Sequence, residues 1–221
     1  MLDFDVAQTR LAEAGKRPTD TENCPLYQAA GRVLSRPVIA TLDLPPADNS
    51  AMDGYAIRYA DYHAGRRLPI QQRCFAGEQP QPLQQGQAIR LFTGSPMPAE
   101  ADTVIMQEDC HEIDNAVDIR QEPKKGSHVR KQGEDVRADQ TILSAGTLLG
   151  AAEIALLASQ GIIELPVYPR LKVGILTTGD ELVFPGQVRK NEHIYNSNGP
   201  MLAVLADKLG ARVVHVLHAL D

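Results

Sequence analysis

The sequence predicts an α+β chain of several domains: a helical and extended part, a small all-β domain inserted into it, and the start of an α/β unit. Three observations carry this. Phe4, Ala7, Leu11 and Ala14 recur at helical spacing near the start. Between about residues 47 and 140, short apolar runs alternate with Gly- and Pro-rich punctuation, the texture of short strands joined by turns. Residues 171–217 then read as strand, helix, strand. A chain of 221 residues with 43% hydrophobic content suits one or two domains with a sizeable core.

The first helix has Asp3 placed to cap it and Gly15 and Pro18 to close it. Residues 26–34 are expected to form a second short helix, ended before Pro37 because proline disfavours helix at the residue it follows. Extended chain through Val38-Ile39-Ala40 leads into the β-rich block. There, residues 88–92 and 103–107 read as strands, and Ile113-Asp114-Asn115-Ala116-Val117 as a hairpin tip, since Asp and Asn tolerate turn geometry. A helix returns at 151–160 with Gly161 as its left-handed cap. The strand at 171–178 is apolar and β-branched. It is followed by a helix at 199–209, whose Leu202, Leu205 and Leu209 are expected to face the core, and by a strand at 212–217. Such a unit implies parallel strands covered by helices. Two strands alone leave an open edge and an open face, so the expectation is a fragment of a longer protein, or a partner that completes the sheet.

Composition removes several classes. A net charge of −6, no Trp and 5% aromatics argue against a nucleic-acid partner. No apolar run approaches the roughly 20 residues of a membrane helix, and the acidic start Met-Leu-Asp-Phe-Asp is no targeting peptide. Cys24, Cys74 and Cys110 are widely spaced and odd in number, which fits a reduced, cytoplasmic setting. Neither a G-x-G-x-x-G fingerprint nor a Walker A loop occurs. His215 and His218, three apart on a strand, point to opposite faces; the other histidines stand alone.

Chemistry concentrates in a few loops. Asp48-Asn49-Ser50-Ala51-Met52-Asp53-Gly54-Tyr55-Ala56 packs two carboxylates, an amide and a hydroxyl beside small residues, which suits a hard cation or an oxyanion. Thr93-Gly94-Ser95-Pro96-Met97-Pro98 is a proline-stiffened turn in which Thr93 and Ser95 could bind an anion or simply hold the turn. Lys124, Lys125, Arg130 and Lys131 form a local basic cluster, read either as a solvated turn or as a phosphate contact. Gly133-Glu134-Asp135 beside it reads as ligands or as a salt-bridged turn. Thr177-Thr178-Gly179-Asp180-Glu181 lies at the carboxyl end of its strand, where open α/β sheets bind ligands, although a plain turn gives the same letters. The long connection 183–198 has the length of a functional loop.

In this order, and with Phe75-Ala76-Gly77, Val104-Ile105-Met106-Gln107-Glu108, Arg130-Lys131-Gln132-Gly133-Glu134-Asp135 and Ile194-Tyr195-Asn196-Ser197-Asn198 between and after them, these segments resemble the molybdopterin molybdenumtransferase family (bacterial MoeA and the gephyrin E domain). The resemblance covers essentially the whole chain. It implies a helical and extended domain at 1–46 plus 141–169, an inserted β domain at 47–140, and an incomplete three-layer α/β molybdopterin-binding domain at 170–221. It implies insertion of molybdenum into adenylylated molybdopterin with release of AMP, molybdate as the second substrate, and Mg²⁺ as cofactor. It also implies a cytoplasmic homodimer, contact with other molybdenum cofactor biosynthesis proteins, and no nucleic-acid or membrane partner. By motif match, Asp53, Thr93, Asp135 and Glu181 would be catalytic, with Asp53, Asp135 and Glu181 as metal ligands. Ser50, Ser95, Arg130, Thr178, Gly179, Asp180, Asn198 and Asp221 would bind substrate. Tyr195-Asn196 stands where Tyr-Asp is more usual, and Ala138-Asp139 where a Gly is often found. A non-catalytic dimeric scaffold or a pterin-binding module of the same family is the alternative.

Overall fold

The computed structural model describes residues 2–16 and 19–220. The expected helix stop at Pro18 and the expected contact at Asp221 lie outside the described residues. The chain divides into two compact units, Met1–Val38 with Leu143–Asp221, and Ile39–Ile142. Strands dominate, with three α-helices among the described residues.

The unit Ile39–Ile142 is built on a six-stranded sheet in the order Thr103–Met106, Gly54–Ile57, Ala88–Leu91, Leu68–Cys74, Ala116–Ile119, Cys110–Ile113. All neighbours pair antiparallel except Leu68–Cys74 with Ala88–Leu91. The adjacent inner strands Gly54–Ile57 and Ala88–Leu91 are buried at every position. Successive residues enter different cores: Tyr55 and Ile57 pack with Leu68, Ile70, Ile105 and Val117, while Ala56 packs with Cys74, Ile89, Leu91 and Val104. Both sheet faces are therefore covered, which is why these strands read as continuous apolar runs. The hairpin forms as the sequence predicts, with Asp114 and Asn115 at φ 51° and 58°, the paired positive φ of a two-residue turn. Burial pushes the thiols of Cys74 and Cys110 up, the latter to about 12, so neither is a ready thiolate.

In the other unit, Asp3 caps α1 (Phe4–Ala14) by accepting the N–H groups of Asp5 and Val6, yet α1 buries none of its residues. Strand Glu22–Pro25 pairs antiparallel with Glu164–Val167. Around this pair Cys24, Leu26, Leu34, Leu149, Leu157, Leu165 and Val167 are buried. Helix α2 (Ala151–Ser159) ends as expected, with Gly161 at φ 71°. The expected helix at 26–34 is a correction: only a 3-10 turn, Leu26–Gln28, forms. Gly31 at φ 75° breaks it, and Leu34 is instead drawn into extended pairing, donating its N–H to the Thr147 carbonyl. A fully buried Leu34 outweighs the local helical preference.

Strands Lys172–Thr178 and Arg212–Ala219 pair in parallel, as the strand–helix–strand pattern requires. Helix α3 (Asn198–Lys208) does not face the core through Leu202, Leu205 and Leu209; all three are exposed, Leu209 at 87%. Its inner side is made of small residues instead. Gly199 is buried and Ala203 and Ala206 are half-buried, and a Cβ on Gly199 would sit 3.1 Å from Val216 Cγ1. Small residues let the helix lie close on the sheet, which turns the larger apolar ones outward.

Gly54 is the tightest backbone approach in the sheet: an added Cβ would lie 2.0 Å from the Ile105 carbonyl oxygen. Gly54→Ala must therefore separate two hydrogen-bonded strands. We expect a loss of about 3 kcal/mol or more, read as a lower midpoint in urea denaturation.

Candidate functional site

In the unit Ile39–Ile142, three loops are laced together. Residues Asn49–Ser50 pair antiparallel with Val129–Arg130. The Ser50 N–H donates to Ser95 O, and the Gly94 N–H donates to Ser50 O. The Met97 N–H donates to Asp48 O, and the Ala51 N–H to His128 O. Each loop thereby satisfies backbone groups that it cannot satisfy within itself.

This lacing brings Asp53 to Thr93. Asp53 Oδ1 accepts both the Thr93 N–H at 2.8 Å and the Thr93 hydroxyl at 2.7 Å. The two bonds, the backbone one first, hold the Asp53 carboxyl below its usual range. Asp48 accepts Lys131 Nζ at 2.7 Å and the Gln132 N–H at 2.9 Å. The Lys131 hydrogen bond is the main cause of its lowered pKa. Arg130 donates to Asp135 Oδ2 at 2.5 Å, and that bond raises the guanidinium pKa further. The result is an exposed rim of two cations, each already holding one carboxylate.

Ser50 and Ser95, expected to bind substrate, use their hydroxyls within the loops. Both are buried: Ser50 Oγ donates to Met52 O at 2.6 Å, and Ser95 Oγ donates to Cys74 O at 3.0 Å. Their hydroxyls pin loop backbone and are shielded from solvent. Asn49, whose amide the sequence offers without a specific role, has a side-chain oxygen that is buried and without a hydrogen-bond partner among the described residues.

In the other unit, Thr178, Asp180 and Glu181 are exposed at the carboxyl end of the strand Lys172–Thr178. Gly179 adopts φ 136°, and an added Cβ would lie 2.6 Å from Glu181 Oε2, so glycine lets that carboxylate fold back over the turn. His218 Nε2 sits 2.7 Å from Gly179 O. Beneath the turn lies a polar lock that sequence reading missed. Asn196, 2% exposed, donates through Nδ2 to Thr177 Oγ1 at 2.7 Å and accepts the Gly199 N–H at 3.0 Å. Thr177 Oγ1 in turn donates to Leu217 O at 3.1 Å. Asn198, expected to bind substrate, opens α3 directly after this lock. The connection 183–198 is not irregular throughout, since Leu182–Val183 and Ile194–Tyr195 pair in parallel. The only hint of the lock was the Tyr195-Asn196 departure from Tyr-Asp.

Of the predicted residues, Asp53, Thr93, Arg130 and Asp135 belong to the laced loops, and Thr178, Gly179, Asp180, Glu181 and Asn198 to the α/β part. Among the described residues, no group of three or more His, Cys, Asp or Glu side chains converges to hold a metal ion.

Comparison with known proteins gives concordant results. The family described as MoeA N-terminal region (domain I and II) matches residues 2–161. A molybdopterin molybdenumtransferase of Nostoc sp. is 44% identical over 201 residues, covering 88% of this chain and 46% of the relative. One of Haemophilus influenzae is 37% identical over 219 residues, covering 97% of this chain and 54% of the relative. A crystal structure of the molybdopterin biosynthesis MoeA protein from Pyrococcus horikoshii OT3 superposes with a TM-score of 0.90 at 31% identity, covering 100% of this chain and 60% of that one. The chain thus spans about half the length of the curated relatives it matches.

Two measurements test this geometry. Asn196→Ala leaves Thr177 Oγ1 and the Gly199 N–H short of a buried partner. It should cost about 2–4 kcal/mol in chemical denaturation. For Asp48, the folded pKa lies below the unfolded value of about 3.9, so its stabilisation is present above that value and lost as pH falls through the folded one. Asp48→Asn should therefore lower the denaturation midpoint at neutral pH, and the difference from the unsubstituted chain should shrink progressively as pH falls below the unfolded value of about 3.9.

Proposed function

This chain belongs to the MoeA N-terminal family, and from that premise we propose that it supplies part of a site for inserting molybdenum into adenylylated molybdopterin with release of AMP. The observation that carries the reading is the Asp53–Thr93 pair, a doubly bonded, ionised carboxylate set in the run Asp48–Ala56, against which the paired segment 129–131 brings the cations Arg130 and Lys131. The relatives' printed name, molybdopterin molybdenumtransferase, supports it. The domain division proposed with it is 1–46 plus 141–169, 47–140, and 170–221.

The chemistry required is the handling of anions, since molybdate and a phosphoanhydride must both be held. Arg130 and Lys131 are exposed but not bare. An incoming oxyanion exchanges for Asp135 or Asp48 rather than meeting a free cation, which favours ligands whose charge density exceeds that of a carboxylate. Asp53, with its pKa lowered, is a weak proton acceptor and a better fixed anion. That suits it to orient a ligand or to share a cation. The acids of the α/β part, Asp180 and Glu181 with Thr178 and Gly179, take the molybdopterin side in this reading.

Mg²⁺ fits the donor set in a limited sense. The described residues form no all-protein cage, but Mg²⁺ is commonly bound by one or two carboxylates, waters and substrate phosphates. Asp53, Asp135 or Glu181 would be the protein's share, and the ion would neutralise charge developing on phosphate. The reading also includes a cytoplasmic homodimer in contact with other cofactor biosynthesis proteins. In its support, Leu202 and Leu205 on α3 and Leu209 at its end are exposed and available for burial. Among the described residues no helix is long and apolar enough to cross a membrane.

The test is molybdate- and Mg²⁺-dependent AMP release from adenylylated molybdopterin. Asp53→Ala should lower it by about 100-fold or more, with the thermal midpoint and the oligomeric size preserved. Undiminished release would remove Asp53 from the site. Binding of cofactor without release by the unsubstituted chain would favour the pterin-binding alternative.

A further inference from the structure

The structure carries one feature that the proposed reaction has not used: two stacked phenylalanines beside the Asp53–Thr93 pair. Phe75 and Phe92 stack with ring centroids 4.4 Å apart and planes only 8° from parallel. Arg90 lies over the Phe92 ring at 4.8 Å and over the Tyr55 ring at 5.0 Å. Arg90 is fixed in turn, donating to Gly54 O at 3.0 Å and to Gln107 Oε1 at 2.5 Å. Tyr55, Arg90, Phe92 and Phe75 thus form a layered column that starts in the sheet core. It ends at the surface, where Phe75 is 51% exposed.

The column is held rigidly. Ser95, with no exposed surface, donates its hydroxyl to Cys74 O and accepts the Phe92 N–H. It thereby ties the turn that carries Phe92 to the residue before Phe75. The Phe75 turn closes on itself: the Phe75 N–H donates to Glu78 Oε2 at 2.9 Å, and the Glu78 N–H returns to Phe75 O at 3.1 Å. Gly77 at φ 89° and Gly94 at φ 85° allow both turns, and a Cβ on Gly77 would meet nothing within 4 Å. The turn two residues after Phe75 is therefore uncrowded.

Two phenylalanines that only needed to bury each other would have no reason to leave one ring half in water at a rigid site. We propose that the Phe75–Phe92 stack is a platform on which a planar, amino-bearing heterocycle, a purine or a pterin, extends the column by one layer. The polar groups nearest the stack in the chain point to the class. Glu78 accepts the N–H of Phe75 itself, Asp53 accepts the N–H of Thr93, the residue after Phe92, and both are carboxylates, which match the ring N–H and amino donors of such a heterocycle rather than a phosphate. Because the stack is preorganised, little ordering opposes binding. The inference rests on the molybdenum-insertion reading, whose substrate carries both a pterin and an adenine.

The test uses the full chain with two probes, AMP and neopterin, each titrated alone by calorimetry. Three proteins are compared: the unsubstituted chain, Phe75→Leu, which keeps apolar bulk but removes the ring, and Phe75→Tyr, which keeps the ring. Thermal midpoints check that all three fold alike. The expected result is that one probe binds the unsubstituted chain, that Phe75→Leu weakens it by about 5- to 100-fold, and that Phe75→Tyr restores it. The probe that responds tells adenine from pterin. Equal affinity for the unsubstituted chain and Phe75→Leu would overturn the platform, as would binding of neither probe. Both outcomes leave the insertion reading to be judged separately by molybdate-dependent AMP release.

Discussion

The unit Ile39–Ile142 depends on satisfying backbone polar groups in loops that hold only short two-residue strand pairings, and Ser50 is where that constraint is met most densely. Its N–H goes to Ser95, its carbonyl accepts from Gly94, and its hydroxyl goes to the Met52 carbonyl two residues on. A buried loop with unpaired amides would lose about 1–3 kcal/mol for each, so the run Asp48–Ala56 keeps its shape only while the 92–97 turn and the 128–132 segment are in place. The positions of Asp53 and Thr93 follow from this. They are consequences of backbone lacing, with their own mutual bonds added on top.

The elements legible in the sequence were those whose signal is local. Asp3 ahead of an apolar-periodic run, Gly161 after one, and Asp114-Asn115 between two strands each state their geometry within a few residues. The parallel pairing of the strands around α3 follows from a crossover long enough to require it. What failed was decided at a distance. Leu34 sits at helical spacing from Leu26, but its place is settled by Thr147, more than a hundred residues away. The leucines of α3 look like a core stripe until Gly199, Ala203 and Ala206 are seen to take the inner side. In the candidate site, the chemistry of the side chains was readable but their direction was not. Ser50 and Ser95 carry the same hydroxyl as Thr93, and only burial separates pins from exposed groups.

The two units support their exposed acids by opposite means, and the difference has a functional sense. Around Asp48, Arg130, Lys131 and Asp135 the interactions are exposed ion pairs, each typically worth less than about 1 kcal/mol. Such pairs open and reform at little cost, as a rim that must accept and release an anion requires. Under Thr178–Glu181 the support is neutral and buried, with Asn196 bridging Thr177 and Gly199 and Thr177 reaching Leu217. An aspartate at position 196 would have no hydrogen to give Thr177 unless protonated, and as an anion it would carry a buried charge. The amide gives one donor and one acceptor in the directions required and holds the turn at any pH. The exchangeable groups are therefore the charged ones at the surface, while the groups that fix position are neutral and lie beneath it.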